Sequence, residues 1–202
     1  MTKIRNFRVN LRPREIARWL KKERGIETSP DLELSIQEAI KQCKVWVAPA
    51  AVYTTLTRQT AEKTTTVPLQ DGAVALSLVA VSVGPGLKTE LAKTGAEAAR
   101  EALLAALQQE ALSQSLQFVV RLIGEQAEEE NCEMTSPVSV QDASVASSLV
   151  TLLGVARIGV QLDSSTQEPP PYVRVAYWFW TPAAKGPARR AEPAGRAEKV
   201  AA

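Results

Sequence analysis

The sequence predicts an α+β domain in which helices pack against a largely antiparallel sheet. Short segments of alternating or continuous apolar residues, which are typical of strands, occur near the start, the middle and the end of the chain. Longer segments whose apolar residues recur at helical spacing lie between them. The predicted order is a strand, two helices, a strand-rich region, a buried strand, two helices, a loop with a helix, and a final strand.

The N-terminal region is predicted to form a strand and then a helix. Apolar residues alternate through residues 4–11, which favours a strand. The helix begins at Pro13, because the fixed φ of proline suits a first turn, and it ends at Gly25. Trp19 lies on the apolar face of this helix, so we predict it to be a core residue.

A second helix is predicted from the cap-like pair Ser29 and Pro30 to about Val47. Its apolar stripe includes Cys43. A cysteine on a buried helix face is usually a small core residue, whereas reactive thiols lie in partly exposed, electropositive surroundings. We therefore interpret Cys43 as structural.

The middle of the chain is predicted to be rich in strands. Two β-prone pieces, at residues 52–56 and 64–69, lie in a threonine-rich region. The apolar run within residues 71–86 predicts a strand that is covered on both faces, with Leu76 in the core. The glycine-rich turn Gly84–Gly86 ends this strand.

The segment from Leu87 to Asn131 is predicted to be helical, with Gly95 separating a first helix from a longer second one. Four glutamates crowd the end of the longer helix, and a solvated helix end explains them better than a metal site. A further, shorter helix is predicted to end at Gly154.

The chain then begins a predicted strand near Ile158, turns at Pro169–Pro171 and enters the aromatic run Tyr177–Trp180. Proline cannot donate a ladder hydrogen bond, so the triplet must lie at an edge or between strands. Side chains alternate along a strand, so Tyr177 and Phe179 point to one face and the two tryptophans to the other. One pair is then expected to close the core, and the other is either further packing or a ligand surface.

Composition argues against several classes of function. Histidine is absent, which removes the usual general base at neutral pH and every His-containing zinc site. We predict neither a catalytic residue nor a metal site. The chain carries a net +2, of which residues 183–202 supply +3, so residues 1–182 carry −1 and offer no basic patch for nucleic acid.

The domain boundary and the cellular location follow from similar arguments. Residues 1–182 are expected to form one domain, and residues 183–202, rich in Ala, Pro and charged residues, to be a disordered tail that folding does not need. The longest apolar run is too short to cross a membrane as a helix, and no signal peptide is recognised. We therefore expect a cytoplasmic protein with neither a membrane partner nor a disulfide framework.

The turn at Gly84 and Gly86 is a candidate anion site. A glycine turn between a strand and a helix can present backbone N–H groups to an anion at the helix N-terminus. The spacing matches neither of the common phosphate-binding motifs. A tight turn that needs glycine for its backbone conformation is the competing interpretation.

Four segments of the chain resemble parts of one known family. Residues 11–53 are similar to an opening helix pair that ends in a Pro-x-x-Val-Tyr segment, here Pro49–Tyr53. Residues 75–107 are similar to a central strand with a Thr-Ile-Gly turn, here Ser82–Gly84, and the helices after it.

The two remaining segments complete the resemblance. Residues 144–154 are similar to a short helix, and residues 158–182 to a closing stretch of a Gly-x-x-Leu strand, a serine, a proline corner and an aromatic strand. Together the four segments resemble the activation domain of cobalamin-dependent methionine synthase, and more closely the stand-alone proteins that share its fold. The resemblance implies a curved, largely antiparallel sheet packed with helices.

In methionine synthase this domain presents S-adenosylmethionine to an oxidised cobalamin held on a neighbouring domain. The family grips the methyl donor with an Arg-x-x-x-Gly-Tyr-Pro segment before its third helix. The matching stretch here is residues 132–144, where Pro137 is kept and the Arg and Gly-Tyr are absent. The acidic residue expected near Ser165 is replaced by Ser164, with Asp163 adjacent.

The resemblance also implies where a ligand lies: the cleft in which the loop 133–142 meets the sheet. Loss of the arginine removes a bidentate carboxylate partner, and loss of the glycine keeps the backbone from approaching a ligand closely, so we expect weak or no S-adenosylmethionine binding. The candidate ligand-binding residues are Ser136, Pro137, Val138, Ser139, Asp163, Ser164, Tyr177 and Trp178.

The resemblance leaves two main functions open. The first is a stand-alone accessory protein that binds or acts on a corrinoid (cobalamin) protein or a methyltransferase, with the cobalamin carried by the partner and a degenerate S-adenosylmethionine site. The second is a non-catalytic interaction subunit without a small-molecule ligand. An enzyme with an unrelated substrate in the same cleft is a third, and the lack of histidine makes it the least supported.

Overall fold

The computed structural model describes residues 1–93, 97–163 and 167–183. Gly95, Ser164 and the tail from residue 184 onward lie outside the described residues, so the predictions on them stay predictions. In chain order the elements are β1 (Thr2–Arg5), α1 (Pro13–Arg24), α2 (Pro30–Cys43), β2 (Ala50–Thr57), α3 (Arg58–Thr64), β3 (Ala75–Ser82), α4 (Gly86–Lys93), α5 (Ala98–Glu129), β4 (Cys132–Met134), β5 (Val138–Ser139), α6 (Ala143–Leu153), a 3-10 helix (Val155–Ile158) and β6 (Val173–Pro182).

The strands form one antiparallel sheet in the order β1-β2-β3-β6-β4, and β5 also pairs with β6. This architecture confirms the predicted α+β class. β3 is central and pairs along its whole length with β2 and β6, and every β3 residue after Ala75 is buried. The near-continuous apolar run of this strand is explained, because both of its faces are covered.

Two helical layers cover the sheet. On one face, α3 packs on β2 and β3 and α6 packs on β2, β3 and β6, with Leu76 fully buried between strands and helices. On the other face lies the C-terminal two thirds of α5, which packs on Trp178 and Trp180. The N-terminal part of α5 packs instead with α1, α2 and α4 in a third cluster that contains Cys43.

The helix ends follow the local signals of the sequence. Ser29 accepts a hydrogen bond from the Leu32 N–H through its Oγ at 3.2 Å, and Pro30 occupies the first turn. Gly25 ends α1 and Gly154 ends α6, both in the left-handed region, where glycine avoids a Cβ clash. These residues confirm the predicted start of α2 and the predicted ends of α1 and α6, whereas α2 ends at Cys43, four residues before the predicted Val47.

Two predicted strands in the N-terminal half differ from the structure. Of the strand predicted at residues 4–11, only Ile4 and Arg5 lie in the sheet, as the end of β1, because Asn6 adopts a φ of +56° and turns the chain out of it. The β-prone piece at 64–69 is not a strand, since α3 occupies Arg58–Thr64 and the chain leaves it without pairing. Threonine favours strands only where a neighbouring strand is in place.

Differences also occur in the C-terminal half. The stretch after Ile158 is no strand: a 3-10 helix ends at Gly159, in the left-handed region, and the next residues are irregular. The loop before α6, in contrast, contributes the two unforeseen strands β4 and β5. Trp19 packs against the third cluster but is only half-buried, so its assignment to the core was too strong.

Candidate functional site

The loop before α6 forms the outer edge of the sheet beside β6. Met134 lies opposite Trp180, and Val138 lies opposite Tyr177. Three residues, 135–137, therefore face the two residues 178 and 179, which defines a one-residue bulge. The Thr135 N–H donates to the Phe179 carbonyl and the Thr135 Oγ1 accepts from the Phe179 N–H, both at 3.0 Å, so the bulge is held on β6.

Five of the candidate ligand-binding residues meet at this edge. Ser136, Pro137, Val138 and Ser139 are all exposed, and Val138 shares a face of the sheet with the half-buried Tyr177. We call these five residues the edge strip. Tyr177 makes an edge-to-face contact with Phe179, with ring centroids 5.6 Å apart, which confirms that these two rings share one face.

Trp178 does not belong to this surface. Its side chain is fully buried beneath α5, on the opposite face of the sheet from Tyr177. Trp180 lies on the same α5 face, and its indole N–H donates to the Ser77 Oγ at 2.8 Å. The expectation that Trp178 lines a ligand cleft is wrong, because both tryptophans serve the core.

Asp163 lies outside the edge strip. It is exposed in the irregular segment after the 3-10 helix, and its backbone carbonyl accepts from the Gln167 N–H at 2.9 Å. It is absent from the lining of the pocket described below. Ser164 lies outside the described residues.

The Gly84–Gly86 turn packs tightly against backbone. A Cβ on Gly86 would lie 2.3 Å from the Trp46 carbonyl oxygen, and Gly84 has a φ of +77°. The Gly84 N–H already donates to the Ser82 Oγ at 3.1 Å. Close packing explains the glycine at 86, and a positive φ explains the glycine at 84. Anion binding at this turn remains a prediction.

A pocket of about 410 Å³ opens at the sheet edge, where β5 ends and the proline corner begins. We call it the sheet-edge pocket. It lies where the loop before α6 meets the sheet, and Ser139 is the member of the edge strip that lines it. The lining residues are Gln109, Leu112, Ser139, Val140, Gln141, Ala146, Pro169, Pro171, Val173, Arg174 and Val175.

Among the described residues of this lining, Arg174 is the one that carries a charge. It lies on the α5 side of β6, where it is half-buried, and its Nη2 donates to the Gln109 Oε1 at 2.6 Å. Burial lowers the pKa of the Arg174 guanidinium from its ordinary value, because desolvation disfavours the charged form. An arginine nevertheless stays protonated near neutral pH, so the pocket keeps one positive charge.

Neither Arg174 nor Gln109 was predicted from the sequence as a site residue. The available signal was a single charged residue within the apolar strand run VRVAYWFW. A cation at an interior strand position needs either solvent or a partner. That signal alone could not show which element supplies the partner.

A neighbouring glutamine fixes the proline wall of the pocket. Gln108 is buried, and its Nε2 donates to the Pro171 carbonyl at 2.9 Å. Among the described residues, its Oε1 has no hydrogen-bond partner. The proline triplet is therefore a corner held by α5, as the sequence predicts for residues that cannot pair in a ladder.

The groups in this lining can bind and orient a ligand. Its described residues supply one guanidinium, two primary amides and a hydroxyl, which offer hydrogen-bond donors and stabilise a negative charge. Within residues 1–93, 97–163 and 167–183, no cluster of three or more His, Cys, Asp or Glu could hold a metal ion. No helix in the same ranges is long and apolar enough to span a bilayer.

No protein-family model and no curated protein matches this sequence. Among solved structures, the chain is similar to the crystal structure of the MetH reactivation domain bound to AdoHcy, with a TM-score of 0.55. The match covers 92% of this chain and 79% of that chain, at 12% sequence identity. Identity this low shows the fold alone, so the chain has the α+β fold of the MetH reactivation domain.

Proposed function

We propose that this protein is an accessory protein for a corrinoid protein or a methyltransferase, with its ligand site in the sheet-edge pocket. The observation that carries the proposal is the fold likeness to the MetH reactivation domain over 92% of the chain. The position of the pocket adds support, because it lies where the loop before α6 meets β6, which is where the resemblance places a ligand.

We further propose that the S-adenosylmethionine site is degenerate. The loop 132–142 contains neither arginine nor glycine, and its bulge is tied to Phe179 by both the N–H and the hydroxyl of Thr135. A backbone held in this way, with side chains at every position, cannot approach a nucleoside as a glycine loop would. Weak or no binding of S-adenosylmethionine is the expected result.

The edge strip is the proposed contact surface for the cobalamin-bearing partner. Its residues are uncharged, and Val138 is 44% exposed beside Tyr177. An uncharged strip with one aromatic ring is better suited to contact a flat, largely apolar partner than to contact a phosphate or a nucleic acid.

Equilibrium dialysis with hydroxocobalamin and with S-adenosylmethionine tests the proposal. Val138→Asp should weaken cobalamin binding, because it puts a charge into the contact surface. Val74→Asp is the matched control, since Val74 is a valine of nearly equal exposure, 43%, that lies outside the edge strip.

The outcomes separate the candidate functions. Cobalamin binding that Val138→Asp weakens and Val74→Asp leaves unchanged supports the accessory role. No binding of either molecule contradicts it and favours an interaction subunit without a small-molecule ligand. S-adenosylmethionine binding at micromolar concentration would refute the degenerate site.

A further inference from the structure

The two arginines held by neighbouring residues of α5 have different partners. Arg12 pairs with the buried Glu110, with Nε 2.8 Å from Oε1, and this hydrogen bond raises the pKa of Arg12. Arg174 donates instead to a neutral amide, that of Gln109. Among the described residues, no carboxylate forms an ion pair with Arg174.

A half-buried cation without an anionic partner is costly, because burial removes part of its hydration and a neutral amide such as that of Gln109 replaces the lost interaction only in part. Arg12 does not have this unfavourable interaction, because the Glu110 carboxylate pairs with it. Arg174, in contrast, lies in the wall of a pocket whose described lining carries no acidic residue. A bound anion would supply the missing interaction.

We infer that the sheet-edge pocket binds a small monocarboxylate, with Arg174 as its anchor and Gln109 as the residue that positions the guanidinium. One hydrogen bond to Gln109 uses one of the five donors of the guanidinium, and the fork geometry of the others matches a carboxylate. This inference rests on the proposed assignment of the pocket as a ligand site, and it does not need the corrinoid partner.

The shape and charge of the pocket define the ligand class. A single positive charge balances one carboxylate, whereas a phosphate dianion would leave a negative charge unmatched. The accessible wall is mainly polar, with the Ser139 hydroxyl and the Gln141 amide in the lining, so a hydroxy acid or a similar polar acid suits it. A volume of about 410 Å³ lies at the small end of the usual range for ligand pockets, about 300–1,000 Å³.

The test is an NMR titration of the full-length, uniformly ¹⁵N-labelled protein at constant ionic strength. The probe is 2-hydroxybutanoate, and its neutral amide, 2-hydroxybutanamide, is the isosteric control. Inorganic phosphate is titrated in parallel as a competing anion. The readouts are the Arg174 Nε–Hε signal and the backbone amides of residues 139–141.

Three variants are compared with wild type. Arg174→Gln removes the anchor, and Arg121→Gln removes an exposed α5 arginine outside the pocket as the charge-matched control. Gln109→Glu places a carboxylate within hydrogen-bond reach of the Arg174 guanidinium, because the Oε1 it replaces lies 2.6 Å away. Gln109→Glu keeps the shape of the side chain and gives Arg174 a carboxylate partner within the protein. It therefore tests whether a free Arg174 is needed for ligand binding, even if Arg174→Gln fails to fold.

We expect saturable shifts with 2-hydroxybutanoate and none with the amide. Arg174→Gln and Gln109→Glu should each weaken binding on the order of tenfold or more, the effect of losing a charged hydrogen bond. Arg121→Gln should bind like wild type. A purely structural Arg174 would predict no carboxylate binding at all.

Absence of saturable shifts, equal shifts from the amide, binding of phosphate as tight as that of the carboxylate, or full binding by Gln109→Glu would each overturn the inference. If the protein binds cobalamin but not the carboxylate, only this inference is contradicted. If it binds the carboxylate but not cobalamin, only the accessory role is contradicted.

Discussion

The packing of β3 makes Leu76→Ala a quantitative test of the core. Leu76 is fully buried in the centre of the sheet, with Leu56 opposite it on β2 and Phe179 opposite it on β6. Neighbours on both strands are fixed by ladder hydrogen bonds, so the space left by a smaller side chain can close only in part.

The magnitude follows from the atoms that are removed. Leucine to alanine deletes three carbon groups, which at about 0.8 kcal/mol each corresponds to about 2.4 kcal/mol of lost transfer free energy. The residual cavity adds to this, and measured losses for such changes span about 2–5 kcal/mol. We expect a loss of about 3 kcal/mol and a Tm lower by about 6–12 °C for a chain of this size.

Urea unfolding followed by far-UV circular dichroism measures the free energy of unfolding, and an unchanged m value confirms that both proteins unfold in the same way. Leu34→Ala is the matched control, because Leu34 is 60% exposed on α2. The control should change stability by less than about 0.5 kcal/mol. A loss below about 0.5 kcal/mol for Leu76→Ala as well would refute the placement of β3 at the centre of the core.

Three further predictions concern the turn, the thiols and the tail. Gly86→Ala should destabilise the protein by more than about 1 kcal/mol by urea unfolding, since its Cβ would lie 2.3 Å from the Trp46 carbonyl, which is backbone and cannot swing away. Burial raises the pKa of the Cys43 thiol from 9.0 to about 12, so at mildly alkaline pH iodoacetamide should modify the half-buried Cys132 first, as read by peptide mass spectrometry. The unfolded thiol ionises from about pH 9, so stability should fall as the pH rises from there toward 12. Truncation after Ala183, rather than after Pro182, keeps the Ala183 N–H hydrogen bond to the Asn131 carbonyl at 2.9 Å and should leave the Tm unchanged in a thermal melt.

Each of these has a control or a contrary outcome. Gly124→Ala is the comparison for Gly86→Ala, because the new Cβ meets only the flexible end of Met134, at 3.3 Å, and alanine favours a helix. Equal losses in the two variants would show that the contact with Trp46 is not the cause. Rapid alkylation of Cys43 in the native protein would contradict its burial, and aggregation of the truncated chain would show that the tail contributes to folding.

Local signals in the sequence were sufficient for much of the fold. The cap at Ser29, the stop at Gly25 and the stop at Gly154 predicted where helices begin and end, because these residues satisfy backbone groups within one turn of themselves. The alternation of Tyr177 and Phe179 against the two tryptophans also followed from strand geometry alone.

The candidate site was only partly predictable. The candidate residues Val138 and Ser139 pair with β6 beside Tyr177, whereas Trp178, which was also a candidate, is buried beneath α5 on the opposite face of the sheet. Alternation shows that two side chains point to opposite faces, but it does not show which face a long helix will cover. Arg174 was overlooked because its hydrogen-bond partner, Gln109, lies 65 residues away in sequence.

By itself the sequence determined the start of α2 at Ser29, the ends of α1 and α6 at Gly25 and Gly154, the buried central strand and the α+β class, because capping, periodicity and the length of an apolar run act between near neighbours. Tertiary structure alone decided which threonine-rich segment became β2 and which became α3, and it decided that the loop before α6 completes the sheet. It also decided that Arg174 lies in a pocket where, among the described residues, no carboxylate pairs with it. The physical reason is that a strand, and equally a buried charge, is stabilised by a neighbour that the chain supplies from far away.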